Sequence, residues 1–147
     1  VDWKDLTLVH SPKYIEGFQN GTLSEMDIRR IGIPVTPDIL KRWKTSVQGT
    51  VDVARKAVIE QTITGNIAGG YHHSFADFGS GYCAFNDIGV AVRKLQLEGL
   101  IQKALVVDLD THQGDGTASI FENDENVFTF SMHGEKNFPL RKMKSTL

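Results

Sequence analysis

The segment Leu105–Thr117, LVVDLDTHQGDGT, joins a run of aliphatic residues to three aspartates and a histidine. Its continuous, β-branched beginning is typical of a strand that is covered on both faces. A second strand is predicted in Asn126–His133, NVFTFSMH, and helical patterns lie before and between the two. This alternation predicts an α/β domain with a parallel sheet. Because open parallel sheets bind ligands beyond the carboxyl ends of their strands, the charged residues stand where a functional site is expected.

The remaining sequence predicts mainly helices. The longest is expected over Thr36–Gln61, with Thr36 as the N-cap and Pro37 at the first helical position. Gly49 is expected to break this helix. Ala84–Gly99 has the pattern of an amphipathic helix that ends at its glycine. Residues 1–40 contain several prolines and glycines, which predicts short helices and loops.

Length, charge and cysteine content restrict the class of protein. The chain has 147 residues, which suits one domain over residues 1–147, and its net charge of −2 gives no reason to expect a nucleic-acid partner. No stretch approaches the roughly 20 apolar residues of a membrane span, so no membrane partner is expected. The single cysteine, Cys83, excludes an intrachain disulfide and favours a reducing, cytoplasmic compartment.

Acidic residues and a histidine alternate after the first predicted strand. On an extended backbone Asp108, Asp110 and His112 would share one face. Gathering these groups without a nearby cationic side chain costs solvation and brings like charges together. A divalent cation such as zinc would reverse that cost, since carboxylate and imidazole donors suit it. The alternative is a solvated, aspartate-rich loop in which Asp115 caps the next helix.

The stretch GGYHHSFADFGSGYCAFND, residues 69–87, contains the adjacent histidines His72 and His73. Consecutive residues of an extended segment face opposite ways, so both rings can line one cavity only if the backbone bends there. In that case they could act as a general base and an electrophile, each tuned by its own carboxylate. The alternative is a structural or surface pair. In the same stretch Asp87 fits the start of a helix and Asp77 fits a loop.

Together, GGYHHSFADFGSGYCAFND and VVDLDTHQGDGT resemble the zinc-dependent histone deacetylase family, which has the arginase/deacetylase fold. With SMHGEKNFPLRK, residues 131–142, the chain looks most like the class IV and bacterial deacetylase-like branch. The resemblance extends from about Leu8 to the end and is strongest over residues 69–139. It implies a three-layer α/β/α domain with a mainly parallel sheet, incomplete here. The chain is expected to be the N-terminal half of a catalytic domain that is truncated at both ends.

The resemblance implies roles for the tandem histidines. In the family such a pair acts on a zinc-bound water, and the corresponding residues here are His72 and His73. It pairs His72 with Asp108 and His73 with Asp115, and carboxylates of this kind orient an imidazole and tune its basicity. His73 is the expected base. His72 is expected to be an electrostatic partner or to help protonate the leaving amine.

The resemblance also implies metal and substrate contacts. Asp110 and His112 match two zinc ligands, with Fe²⁺ as the alternative metal. A structural potassium ion is expected at the residues Asp108, Asp110, His112, Ser131 and Met132. The carbonyl of Gly81 would accept the substrate amide N–H, and Tyr82 and Phe138 would form the aromatic walls of an acyl-lysine tunnel. The alternative is that both aromatic residues belong to the core.

The expected activity is removal of an acetyl or other acyl group from acyl-lysine, or from a similar acylated amine, by zinc-activated water. The family's third zinc ligand and its oxyanion-stabilising tyrosine would lie beyond Leu147. One alternative is therefore a catalytically incomplete fragment with a structural or assembly role. Another is a ureohydrolase-like metal hydrolase. An open sheet edge would also favour homo-oligomers.

Overall fold

The computed structural model describes residues 1–146. Its elements, in chain order, are α1 (Trp3–Leu6), α2 (Pro12–Asn20), α3 (Glu25–Ile31), α4 (Pro37–Glu60), α5 (Asp87–Leu97), β1 (Ala104–Asp108), α6 (Asp115–Phe121) and β2 (Val127–Ser131). Across these described residues, no helix combines the length and the apolar character that crossing a membrane requires.

The longest helix begins as predicted but does not break. Thr36 accepts a hydrogen bond at Oγ1 from the Ile39 N–H, 3.3 Å away, and Pro37 is the first residue of α4. The predicted interruption at Gly49 is wrong, because α4 runs continuously through it. The glycine serves packing instead: a Cβ there would lie 3.0 Å from the Asn66 side-chain nitrogen, which approaches the helix at this point.

An aromatic cluster forms the centre of the helical core. Phe85 is fully buried, and its ring centroid lies 4.7 Å from that of Phe18 and 6.3 Å from that of Trp43. Aromatic contacts of this kind contribute about 0.5–1.5 kcal/mol each beyond the area they bury. Because the buried residues Ala84 and Phe85 directly follow the loop of residues 79–83, the core holds the end of that loop in place.

The two strands pair in parallel, as predicted, with Ala104 opposite Val127 and Asp108 opposite Ser131. The inner face of β2 is buried at Val127. The prediction that β1 is covered on both faces is wrong for the described residues, since Leu105 is 63% exposed. No described element packs over that outer face.

Both strands end at the same edge of the sheet. Asp108 and Ser131 are the last residues of their strands and lie opposite each other in the register. Helix α6 begins at Asp115, a few residues after β1 ends. The acidic segment therefore lies at the carboxyl edge, where parallel sheets bind ligands.

Candidate active site

The tandem histidines lie in a tight turn. The His72 N–H donates to the Gly70 carbonyl at 2.9 Å, and the Ser74 N–H donates to the Tyr71 carbonyl at 3.3 Å. The turn brings the two imidazole rings to a centroid distance of 4.1 Å. Both residues are buried, so the surface alternative for this pair is wrong.

Asp87 holds the backbone that enters this turn. Its buried carboxylate accepts hydrogen bonds from the Gly70 N–H at 3.0 Å and the Tyr71 N–H at 2.7 Å, and from the Thr50 hydroxyl at 2.6 Å. The predicted position at the start of a helix is confirmed, but this anchoring role was not foreseen. Asn86 already caps α5 by accepting from the Gly89 N–H, which leaves the next carboxylate free for another task.

Helix α6 packs directly against the histidine turn. The Thr117 N–H donates to the His72 carbonyl at 3.0 Å. A Cβ on Gly116 would collide with the Ser74 carbonyl and would lie 2.7 Å from the carbonyl carbon of His73. The close approach requires glycine here, and it brings the carboxylate of Asp115 up to the histidines.

Each histidine is bonded to a separate carboxylate. His72 Nδ1 lies 2.6 Å from Asp108 Oδ2, and His73 Nδ1 lies 2.7 Å from Asp115 Oδ1. A carboxylate partner keeps the proton on Nδ1 of a neutral imidazole and leaves Nε2 able to accept another. Asp115 is 5% exposed, so the alternative of a solvated aspartate is wrong for this residue, although its Oδ1 also accepts the Gly116 N–H at 3.0 Å in the first turn of α6.

The surroundings of His72 favour its charged form. Burial by itself lowers the pKa of the imidazole, but the hydrogen bond to Asp108 opposes this, as do the charges of Asp108, Asp110 and Asp115. The carboxylates outweigh burial, and the pKa of His72 is raised above its ordinary value. Asp108, Asp110 and Asp115 therefore all favour the protonated form of His72.

Asp110 and His112 come together through turns rather than through strand alternation. Strand β1 ends at Asp108, whose Oδ1 accepts the Asp110 N–H at 3.0 Å. Asp110 Oδ1 in turn accepts the His112 N–H at 2.7 Å, and this bond lowers the pKa of the Asp110 carboxyl. The predicted extended backbone at these residues is thus wrong, but the predicted grouping of a carboxylate and an imidazole remains.

This pair supplies two donor types that zinc prefers, a carboxylate oxygen and an imidazole nitrogen. Asp110 Oδ1 and His112 Nδ1 are at hydrogen-bond distance, 3.0 Å apart, which is close to the spacing of about 3.3 Å between tetrahedral zinc ligands with bonds of about 2.0 Å, so an ion could replace the proton between them. Their side chains are 51% and 43% exposed, so an ion could reach them. Among the described residues no group of three or more His, Cys, Asp or Glu side chains converges in this way. The pair therefore fits zinc as part of a ligand set.

The residues predicted to hold potassium lie near the ends of the two strands. The Asp108 carbonyl accepts the Met132 N–H at 3.0 Å, and Ser131 Oγ lies 2.9 Å from His133 Nδ1. The thioether of Met132 is a soft donor that does not suit potassium, so this residue could contribute only its backbone oxygen. The potassium site stays a prediction.

A cavity of about 560 Å³ opens beside this cluster, and its walls include His73, Gly81, Tyr82, His112 and Phe138. The Phe138 ring meets that of His73 edge-on at a centroid distance of 4.9 Å. A Cβ on Gly81, where φ is 53°, would lie 2.7 Å from the His73 ring. Tyr82 and Phe138 are 66% and 44% exposed, so the alternative that they are core residues is wrong.

Cys83 and Asp77 take no part in the cavity wall. Cys83 is buried, and burial raises the pKa of its thiol to about 12, which makes it a poor nucleophile. Asp77 stays in a loop, as predicted. In contrast, Arg29 and Arg30 of α3 do line the cavity, although no sequence motif marks them. The sequence does not show whether two arginines near the end of a surface helix line a cavity or only face solvent.

Sequence comparison connects this site with known proteins. A family model described as the histone deacetylase domain matches residues 1–146. An uncharacterized protein of Picosynechococcus sp. is 49% identical over 142 residues, which cover 97% of this chain and 47% of that protein. Histone deacetylase 2 of Arabidopsis thaliana is 30% identical over 141 residues, which cover 92% of this chain and 36% of that protein.

Structural comparison agrees. The crystal structure of an HDAC homolog from Aquifex aeolicus matches 95% of this chain and 40% of its own, with a TM-score of 0.80 and 26% sequence identity. This similarity confirms the predicted arginase/deacetylase-like α/β fold. The chain spans less than half the length of each of these relatives.

Proposed function

The chain belongs to the histone deacetylase family, and from that premise we propose that its carboxyl-edge cluster is part of the active site of a metal-dependent amidohydrolase. The proposed substrate is an acylated lysine, and the products are the free amine and a carboxylic acid. The proposal concerns the whole protein, since this chain spans less than half of the relatives it matches.

One observation carries the proposal. His73 lines the cavity with its ring, while its Nδ1 is held by the buried carboxylate of Asp115 at 2.7 Å. This arrangement leaves Nε2 of a neutral imidazole as the atom that can accept a proton. A general base must lie within hydrogen-bond reach of the proton it removes, and the cavity is where a substrate and water can enter.

The two histidines then have different roles. His73 takes the proton of the attacking water at Nε2, and Asp115 stabilises the imidazolium that results. His72 lies behind it, with ring centroids 4.1 Å apart, and is bonded to Asp108. It acts as an electrostatic partner, or supplies a proton towards the leaving amine. General acid–base catalysis of this kind contributes about 10²–10⁴ in rate.

Asp110 and His112 would hold the metal ion. Zinc bound there would polarise the substrate carbonyl and make water easier to deprotonate. The contribution of this chain is to hold a carboxylate oxygen and an imidazole nitrogen 3.0 Å apart, beside the base. The ring of His112 lies at a centroid distance of 6.0 Å from that of His73, so both can serve one reaction centre.

The cavity walls support a slender acyl-lysine chain as the substrate. Phe138 and Tyr82 provide partly exposed aromatic surfaces, which suit the methylene groups of lysine. The close packing of Gly81 against the His73 ring puts its backbone beside the base, where its carbonyl can accept the substrate amide N–H. A two-metal, ureohydrolase-like centre is less well supported, because two ions need additional shared carboxylates, and among the described residues no group of three or more His, Cys, Asp or Glu side chains converges.

The test is hydrolysis of an acetyl-lysine peptide by the full-length protein, followed as acetate release. His73→Ala is expected to lower kcat by about 10²–10⁴, the usual contribution of a general base. Asp115→Asn should also lower kcat, because the amide cannot stabilise an imidazolium as a carboxylate does. Removal of divalent ions by a chelator should abolish the activity, and added zinc should restore it.

Asp124→Asn is the matched control. Asp124 is also an aspartate bonded to a basic side chain, that of Arg93, but it lies outside the cavity wall. We expect this variant to retain normal kcat. If full-length, folded, zinc-loaded protein releases no acetate from any acyl-lysine peptide, the proposal is wrong and a structural or assembly role takes its place.

A further inference from the structure

The cavity has a positively charged end that the proposed chemistry does not use. Arg29 and Arg30, in the last turn of α3, line the same cavity as His73 and His112. Both arginines are exposed to solvent. They belong to the rim of the cavity, whereas the buried His73 belongs to its inner wall.

The position of this rim is fixed by backbone contacts. The Tyr82 N–H donates to the Ile31 carbonyl at 2.8 Å, which joins the end of α3 to the aromatic wall. Gly32 ends the helix with φ of 83°, and a Cβ there would lie 3.1 Å from the Tyr82 ring. Arg29 and Arg30 are therefore carried on a helix end that packs against the proposed tunnel.

The positive charge of the rim is poorly compensated. Arg30 places its guanidinium 4.5 Å from the centroid of the Phe78 ring, and it has no ion pair with any described residue. Arg29 pairs with Glu25 at 3.3 Å, but the two side chains are 81% and 88% exposed. Exposed pairs of this kind are weak and exchange readily with water or another anion. The rim thus presents two guanidinium groups against one weakly held carboxylate.

We propose that Arg29 and Arg30 select acylated lysines that have acidic neighbours. This inference rests on the proposed function, because it assumes that the acyl group lies at the His73 end. The peptide backbone would then leave the cavity past the rim, where a flanking Asp or Glu meets the guanidinium groups. A flanking Lys or Arg would be repelled, which disfavours basic tails and acylated polyamines.

The test uses the full-length protein and two acetyl-lysine peptides that differ only in their flanking residues, Glu in one and Lys in the other. At low ionic strength we expect kcat/KM to favour the acidic peptide by about three- to tenfold, the range for one or two exposed ion pairs. In about 0.5 M salt, where screening acts over about 4–5 Å, the preference should shrink. The double variant Arg29→Gln/Arg30→Gln should lose most of it at low salt.

Arg42→Gln is the matched control, because Arg42 is an exposed arginine of α4 that does not line the cavity. This variant should keep the full preference. Equal kcat/KM for the two peptides, or a preference that survives in the double variant, would overturn this inference while leaving the hydrolase proposal intact. Failure to hydrolyse either peptide would overturn the proposed function, and this inference with it.

Discussion

The buried imidazole of His10 makes the stability of the fold depend on pH in a way that can be measured. His10 is 2% exposed, and its Nδ1 lies 2.9 Å from the Phe75 carbonyl. Its Nε2 accepts the Asn86 N–H at 3.0 Å, so the proton of the neutral ring is on Nδ1. The ring therefore joins the two ends of the segment that contains the cavity residues Gly81 and Tyr82.

The pKa of His10 is lowered from 6.5 to about 4. Burial causes this decrease, and the hydrogen bond to Phe75 and the charge of Asp77 offset it only in part. In the unfolded chain the ring regains its ordinary pKa. Between these two pH values the unfolded state binds one proton more than the folded state. The contribution of the neutral His10 ring to the free energy of unfolding is therefore fully present above about pH 6.5 and is lost as the pH falls towards 4. The gap corresponds to about 3 kcal/mol, at about 1.4 kcal/mol for each tenfold change in proton affinity.

The assay is urea unfolding of the wild type and of His10→Ala between pH 4 and pH 7.5. At neutral pH the variant should be less stable by about 2–4 kcal/mol, because it loses a buried ring and leaves two backbone groups unpaired. That difference should shrink by about 3 kcal/mol at pH 4, because protonation of His10 in the unfolded state then lowers the free energy of unfolding of the wild type but not that of the variant.

Tyr14→Phe is the control, since it removes a neighbouring buried hydrogen bond, from the Tyr14 hydroxyl to the Ala84 carbonyl at 2.9 Å. Burial raises the pKa of Tyr14, so this residue does not titrate in the acid range and its loss should cost the same at every pH. A difference between wild type and His10→Ala that stays constant from pH 7.5 to pH 4 would refute the reasoning.

Three further predictions follow from packing and exposure. Gly116→Ala should destabilise the fold by about 2 kcal/mol or more, because its Cβ meets the rigid Ser74 backbone; an unchanged Tm would contradict this. Cys83 should resist alkylation at pH 8 in the native state and react in urea, whereas rapid native labelling would show that its thiol is accessible. Residues 1–147 expressed alone should self-associate through the exposed sheet face, and Val107→Lys should raise the monomer fraction in light scattering; unchanged association would count against that face.

Much of the scaffold could be predicted because it depends on local signals. Thr36 and Pro37 mark the start of α4, and the alternating elements at Leu105–Ser131 predict two parallel strands with a helix between them. Gly49 shows where local reasoning fails. Gly49 is required because Asn66, which lies in a later loop, packs against the helix at this point. A contact between distant parts of the chain cannot be inferred from the helical pattern alone.

The site was predictable in its members but not in its geometry. Alternation suggested that Asp110 and His112 share a strand face, whereas Asx-type turns after Asp108 actually bring them together. The anchoring role of Asp87 was missed because its partners, Gly70 and Tyr71, are chosen by the packing of α5 against the histidine turn. Backbone acceptor roles of this kind leave little trace in a sequence.

The most direct measurement is anomalous diffraction at the zinc edge from crystals of the full-length protein, grown without chelator. If the acidic residues after β1 gather around one divalent ion, a single strong peak should lie within bonding distance of Asp110 Oδ1 and His112 Nδ1, beside the ring of His73. Well-ordered crystals from zinc-supplemented protein with no peak there, or with two peaks, would contradict a single-metal deacetylase centre.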